Sequence, residues 1–309
     1  MIFKDTDQKQ YLYVHSPNVP ENGHSERTIF VPSKEKNGTL ICDVFLKEFL
    51  HMYEKIRSKK GFISDMDGVL YHGNNLLDGV PEFVNWLLEN EKEFIFLTNS
   101  SERTPQELHR KLKRMGLDVP VKHFYTSALA TAEFLANQKP GCSAYVIGEA
   151  GLLNALYDEG IDMNDVNPEY VIVGDTRTYN FEKLEKAIAL VNKGAKLIGT
   201  NPDITGPTEH GIMPAVGALI APIEIATGKK AYFVGKPNPL MVRHANKALS
   251  CHTAETVFIG DRMDTDVISG LESMIDTVLV LSGVTSRDML DDFPYVPTYV
   301  MNGVGDILK

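Results

Sequence analysis

Two acidic clusters stand out by their place in the chain. Asp65-Met66-Asp67-Gly68 follows the apolar pair Phe62-Ile63, and Gly260-Asp261-Arg262-Met263-Asp264-Thr265-Asp266 follows Thr256-Val257-Phe258-Ile259. Carboxylates at neighbouring strand ends repel one another unless a cation neutralises them. A hard divalent ion with oxygen ligands, such as Mg2+, is the economical answer. Two further sets hold the same position relative to an apolar run. Thr98-Asn99 follows Glu93-Phe94-Ile95-Phe96-Leu97, and Lys236 lies between Gly235 and Pro237 after Tyr232-Phe233-Val234. A hydroxyl, backbone N–H groups and a lysine point charge are phosphate-binding groups. Acids, hydroxyl, amide and ammonium converging on one edge would hold a divalent metal and a phosphate together.

Each motif also has a simpler reading taken alone. Asp-x-Asp-Gly serves a turn as readily as a metal, Asp261 to Asp266 can cap the next helix, Thr98 and Asn99 can form a turn, and Lys236 can be a surface lysine. A calcium loop fails on spacing, because Gly68 in the loop's glycine position would make Ile63 the first ligand and Asn74 the last.

The elements that must position these residues follow from the periodicity. From Gly61 onward, short apolar runs alternate with amphipathic stretches, with further runs at Ala144-Tyr145-Val146-Ile147, Tyr170-Val171-Ile172-Val173, Lys196-Leu197-Ile198 and Thr277 to Leu281. Thr104-Pro105-Gln106-Glu107 starts a helix as a capping box with Pro at its first position, and Asn180 caps a second helix that Gly194 stops. Strand-helix alternation predicts an α/β fold with parallel sheets covered on both faces, and ligands in such sheets bind at the carboxyl ends of the strands.

Residues 1–60 form a region of their own, with two apolar stretches, Tyr11 to Val14 and Thr28 to Val31, and a predicted helix from Asp43 to Ser58 carrying Val44, Phe45, Phe49, Met52 and Ile56. The composition is 43% hydrophobic with a net charge of -10, which predicts a foldable chain and excludes a general nucleic-acid binder. Cys42, Cys142 and Cys251 form no Cys-x-x-Cys pair, which fits a reducing compartment. With no apolar run long enough for a membrane span and no leader-like N-terminus, the expectation is a cytoplasmic protein without a membrane partner.

In order and spacing, Asp65-Met66-Asp67-Gly68-Val69, Thr98-Asn99, Lys236 and Gly260-Asp261 through Asp266 resemble the four motifs of the haloacid dehalogenase superfamily of aspartate-nucleophile phosphotransferases. Leu97 to Ser101, Phe124 to Ala128, Asp165 to Pro168, Thr200 to Asp203, Val234 to Pro237 and Leu281 to Val284 resemble its NagD-like branch more closely. The resemblance covers about Gly61 to Lys309, and residues 1–60 have no counterpart in it. It implies a Rossmann-like parallel-sheet core at 61–140 and 233–309 and an inserted α/β cap of the C2 type at 141–232.

The same resemblance implies roles. Asp65 would be the nucleophile and Asp67 the general acid and base. Mg2+ would be held by the Asp65 carboxylate, the Asp67 carbonyl and Asp261, with Asp266 orienting a water on the metal. Lys236, Thr98 and the Asn99 N–H would bind the phosphate, and Asp264 would be a bystander. An Asp at position 67, where ion pumps of the superfamily carry Thr, favours rapid hydrolysis of the aspartyl phosphate. Specificity is expected from the cap loop Asn201 to Gly211, with Asn201, Asp203 and His210 as candidates, and Asp175 and Arg177 of similar standing. The leading expectation is a phosphatase of small phosphate monoesters such as UMP. Sugar-phosphate, aryl-phosphate or pyridoxal-phosphate hydrolysis is the alternative within enzymes, and a regulatory protein with a vestigial site is the alternative outside them.

Overall fold

The computed structural model describes residues 52–206 and 211–309 with their side chains, and as backbone the strand residues 207–208 and five short strands between Ile2 and Ile41. The two apolar stretches of the N-terminal region lie in strands Gln10–Val14 and Ile29–Pro32, which pair antiparallel with Leu12 opposite Val31. The helix predicted from Asp43 is described only over 52–57. There Tyr53 and Ile56 are buried in the same apolar cluster as Phe62, Phe83 and Phe94, so the end of the N-terminal region packs on the body of the protein.

The principal sheet has six parallel strands. Their spatial order is Phe124–Thr126, Glu93–Thr98, Gly61–Asp65, Thr256–Gly260, Asp276–Val280 and Tyr299–Met301. Numbered along the chain this is 3-2-1-4-5-6, the doubly wound order in which a crevice opens between strands one and four. Those two strands are Gly61–Asp65 and Thr256–Gly260, and every residue in both is buried. Helices cover both faces, which is why the runs read as continuously apolar rather than alternating. Two strands were not legible as apolar runs: Phe124–Thr126 and Tyr299–Met301 are three residues long and lie at the sheet edges.

A second sheet, also parallel, runs Asp162–Met163, Ser143–Ile147, Tyr170–Val173, Lys196–Gly199 and Tyr232–Phe233. It is the inserted α/β cap. Tyr232–Phe233 belongs to it, pairing with Ile198 and Gly199, and does not deliver Lys236 as the end of a core strand. Lys236 instead sits on the linker from this last cap strand to the core helix Pro239–Ala248. The backbone registers that linker, because Gly235 N–H donates to the Thr200 carbonyl at 2.8 Å.

Both helix starts expected from the sequence are present. The Thr104 hydroxyl accepts from the Glu107 N–H while the Glu107 side chain accepts from the Thr104 N–H, and Asn180 Oδ1 accepts from the Lys183 N–H. Such caps contribute about 1 kcal/mol each. The capped helix Pro105–Arg114 sets Lys111 over the ring of Tyr71. Part of the cap loop read as irregular is an antiparallel hairpin, Thr205–Thr208 with Gly211–Pro214. Cys142 is buried and Cys251 half-buried, both free thiols, while Cys42 lies outside the described residues. Among the described residues no helix is long and apolar enough to cross a membrane.

Candidate active site

Asp65 ends the first core strand and Asp261 begins the loop after the fourth. The register sets Ser64 beside Ile259, which brings the two carboxylates to the same level at the crevice. Asp266, in the short helical turn Met263–Val267, is the third acid. One carboxylate oxygen from each of Asp65, Asp261 and Asp266 lies within 4.8 Å of the others. Lys236 faces them, with Nζ 2.7 Å from Asp65 Oδ1 and 2.7 Å from Asp266 Oδ1.

Glycines permit this closeness. At Gly68 the backbone takes φ +80°, and a Cβ there would lie 2.5 Å from Asp261 Oδ2. At Gly283 it would lie 2.0 Å from the same oxygen. The Leu281 to Val284 stretch, given no role from sequence, closes the site from behind: Val284 N–H donates to Asp261 Oδ2 at 2.7 Å and Ser282 Oγ to the Gly68 carbonyl at 2.8 Å.

Three carboxylates meet one ammonium here. Lys236 is only 2% exposed, Asp261 2% and Asp266 1%, so bulk water screens little of the repulsion. Two like charges about 4 Å apart cost about 4 kcal/mol at an effective dielectric of about 20. Burial holds the Asp65 carboxyl well above its ordinary range, with Lys236 pulling it down and Asp266 and Asp261 pushing it further up. Burial and the neighbouring Asp266 likewise push Asp261 up to about 6. Burial by itself would lower Lys236, but Asp266 and Asp65 outweigh it and raise its pKa. The ammonium therefore stays charged while the carboxylates remain one cation short.

The donor set fits a divalent ion. Asp266 is fully engaged, with Oδ1 on Lys236 and Oδ2 accepting from the Asp261 and Arg262 N–H groups at 3.1 and 3.0 Å. Asp65 Oδ2 and Asp261 Oδ1 accept no hydrogen bond among the described residues, which leaves two oxygens for a hard cation. The Asp67 side chain is exposed and stands outside the three-carboxylate cluster, with Oδ2 3.3 Å from the Tyr71 hydroxyl.

The remaining expected residues divide into two groups. Thr98 is buried at the end of its strand, its hydroxyl accepting from the Ser100 N–H at 3.1 Å. Asn99 lies beside Lys236, and its amide side chain grips the lysine backbone at both ends: Lys236 N–H donates to Oδ1 at 2.8 Å, and Nδ2 donates to the Lys236 carbonyl at 2.9 Å. Asn201 and Asp203, candidates for substrate contact, are used to tie cap to core. Asn201 Nδ2 donates to the Asn99 carbonyl at 2.8 Å, and Asp203 accepts from Asn99 Nδ2 at 2.9 Å and from Arg262 Nη1 at 3.3 Å. Asp175 is occupied likewise, accepting from the Ser101 N–H and hydroxyl. Arg177 is exposed, and His210 lies outside the described residues. Arg262 had no role in the sequence reading. It donates to both oxygens of Asp264 at 3.0 and 2.8 Å, two residues on, while the cap residue it also meets, Asp203, is 59 residues away in the chain.

Comparison with known proteins agrees with this geometry. Residues 62–162 match the family model for haloacid dehalogenase-like hydrolases, and residues 233–307 match a second model of HAD-hydrolase-like type. Ribonucleotide monophosphatase NagD of Escherichia coli K12 is 43% identical over 248 residues, 80% of this chain and 98% of that protein. The chain belongs to the haloacid dehalogenase-like hydrolases. Within them it is a NagD-like, C2-capped phosphatase, a phosphoric monoester hydrolase. Dihydroxyacetone phosphatase of Corynebacterium glutamicum is 47% identical over 246 residues, covering 80% of this chain and 90% of that protein. The solved structure of Escherichia coli NagD superposes with a TM-score of 0.77 at 42% identity, over 80% of this chain and 98% of that one. The 4-nitrophenylphosphatase of Thermotoga maritima gives a TM-score of 0.78 at 35% identity, over 82% of this chain and 97% of that one.

Proposed function

We propose that this haloacid dehalogenase-like hydrolase cleaves small phosphate monoesters, nucleoside monophosphates such as UMP first among them, through an aspartyl phosphate on Asp65. The observation carrying this reading is the buried carboxylate of Asp65 in contact with the Lys236 ammonium at the crevice between strands one and four. In the first step an Asp65 oxygen bonds to phosphorus, the ester P–O bond breaks, and Asp67 gives its proton to the leaving oxygen. In the second, water attacks phosphorus, Asp67 takes a proton from that water, and Asp65 is released. Lys236, the Thr98 hydroxyl and the Asn99 N–H would bind the phosphoryl oxygens, with Asp266 and Asn99 fixing the lysine from its two ends. Mg2+, bound by the Asp65 and Asp261 carboxylates and the Asp67 carbonyl, would neutralise charge so that an anionic nucleophile can approach an anionic substrate. The core would be 61–140 with 233–309 and the cap 141–232, save that Phe233 pairs in the cap sheet, and the cap would set specificity.

A second reading of the substrate has its own support. The relative at 47% identity is a dihydroxyacetone phosphatase, which favours a short sugar phosphate. Hydrolysis of p-nitrophenyl phosphate with Mg2+, its loss in EDTA, and a fall of at least about 10^4-fold in Asp65→Asn test the chemistry. An Asp65→Asn protein of normal activity refutes it. kcat/KM across nucleoside monophosphates and triose phosphates then decides between the two substrates.

A further inference from the structure

Asp67 presents a difficulty for the chemistry proposed above. Its side chain is exposed, and a carboxyl on an exposed turn is free to rotate about both torsions. A general acid needs that freedom removed, because proton transfer depends on alignment as well as on proximity.

The structure provides a fixed donor beneath it. Tyr71 is 2% exposed, and its hydroxyl lies 3.3 Å from Asp67 Oδ2. The phenol cannot drift relative to the carboxyl, because their backbones are tied. Gly68 N–H donates to the Tyr71 carbonyl at 2.9 Å, Leu70 N–H donates to the Met66 carbonyl at 2.8 Å, and residues 67 and 71 form an isolated bridge. A phenol keeps its proton at neutral pH, so the hydroxyl is available as a donor.

Lys111, from the helix Pro105–Arg114, covers the ring with Nζ 3.7 Å from the centroid. Among the described residues it makes no ion pair within hydrogen-bonding range; burial lowers its pKa, and Asp67 opposes that shift. A cation on a phenol face is attracted by the ring and draws electron density from it, which strengthens the O–H as a donor.

We propose that Tyr71, capped by Lys111, is a positioning residue for Asp67. Its hydroxyl holds Oδ2, so that Oδ1 carries the proton toward the leaving oxygen. The inference rests on the general-acid role of Asp67 given above. In the step it serves, the new bond runs from an Asp65 oxygen to phosphorus, the ester P–O bond breaks, and the Asp67 proton goes to the departing oxygen.

The test is the dependence of kcat/KM on leaving-group basicity. p-Nitrophenyl phosphate releases a weakly basic phenolate that needs little protonation, whereas phenyl phosphate has nearly the same shape and a more basic leaving group. In Tyr71→Phe the ratio of kcat/KM for p-nitrophenyl phosphate over phenyl phosphate should rise roughly tenfold, a fraction of the 10^2 to 10^4 that general acid catalysis supplies in full. In Lys111→Met, which keeps the stem over the ring and removes the charge, the same ratio should rise about threefold. A merely structural role predicts equal losses on both esters. Unchanged ratios in the two variants overturn the proposal, and if Tyr71→Phe fails to fold, the Lys111→Met ratio decides. A wild-type chain inactive on both esters refutes the phosphatase reading itself, and the inference falls with it.

Discussion

Replacing Asp261 by Asn should make the metal-free protein more stable while abolishing its activity. The folded chain keeps a proton on Asp261 up to about pH 6, whereas the ordinary value is 3.8. At 1.36 kcal/mol for each tenfold difference, the ionised carboxylate costs the cation-free fold about 3 kcal/mol at neutral pH. Asn removes that charge and keeps an oxygen to accept the Val284 N–H now bonded at 2.7 Å. The new amide N–H2 lacks a partner, which returns about 1 kcal/mol of the gain. A net stabilisation of about 2 kcal/mol is expected, equivalent to roughly 3 °C in Tm for a chain of this size.

The pH dependence separates this cause from others. The folded state binds a proton that the unfolded state has released, so wild-type stability falls as pH rises from about 4 through about 6. The advantage of Asp261→Asn should therefore be absent near pH 4, grow across that interval and be complete above it. Thermal or urea denaturation in EDTA at several pH values reads it. Added Mg2+ should stabilise wild type and not the variant, reversing their order. An Asn variant less stable than wild type in EDTA at neutral pH, or an advantage independent of pH, would refute the argument that these carboxylates lack a cation.

Two further outcomes follow from the same geometry. Gly283→Ala places a methyl 2.0 Å from Asp261 Oδ2, so the loop or the carboxylate must move, with a stability loss of about 1–3 kcal/mol and weakened Mg2+ binding by calorimetry. Asn99→Ala strips partners from both backbone groups of Lys236, and a loss of about 2 kcal/mol in denaturant midpoints should accompany a lower kcat on p-nitrophenyl phosphate.

Residue types next to apolar runs carried much of this protein in plain view. Asp65 and Thr98 end their strands and Asp261 follows one because buried parallel strands are largely apolar, so polar residues gather at the strand's end and the ligand-binding edge. Helix starts at Thr104 and Asn180 were legible for an equally local reason, the need to satisfy free N–H groups within a turn. Tertiary structure alone decided the rest. Tyr232–Phe233 reads like any short strand, and only its pairing with Ile198 and Gly199 puts it in the cap and leaves Lys236 on a linker. Asn201, Asp203 and Asp175 look like groups awaiting a substrate, yet partners up to 104 residues away in the chain use them to hold cap against core. Hydrogen-bond partners at such separations leave no periodicity or spacing in a single sequence, because what selects them is the distance between atoms after folding.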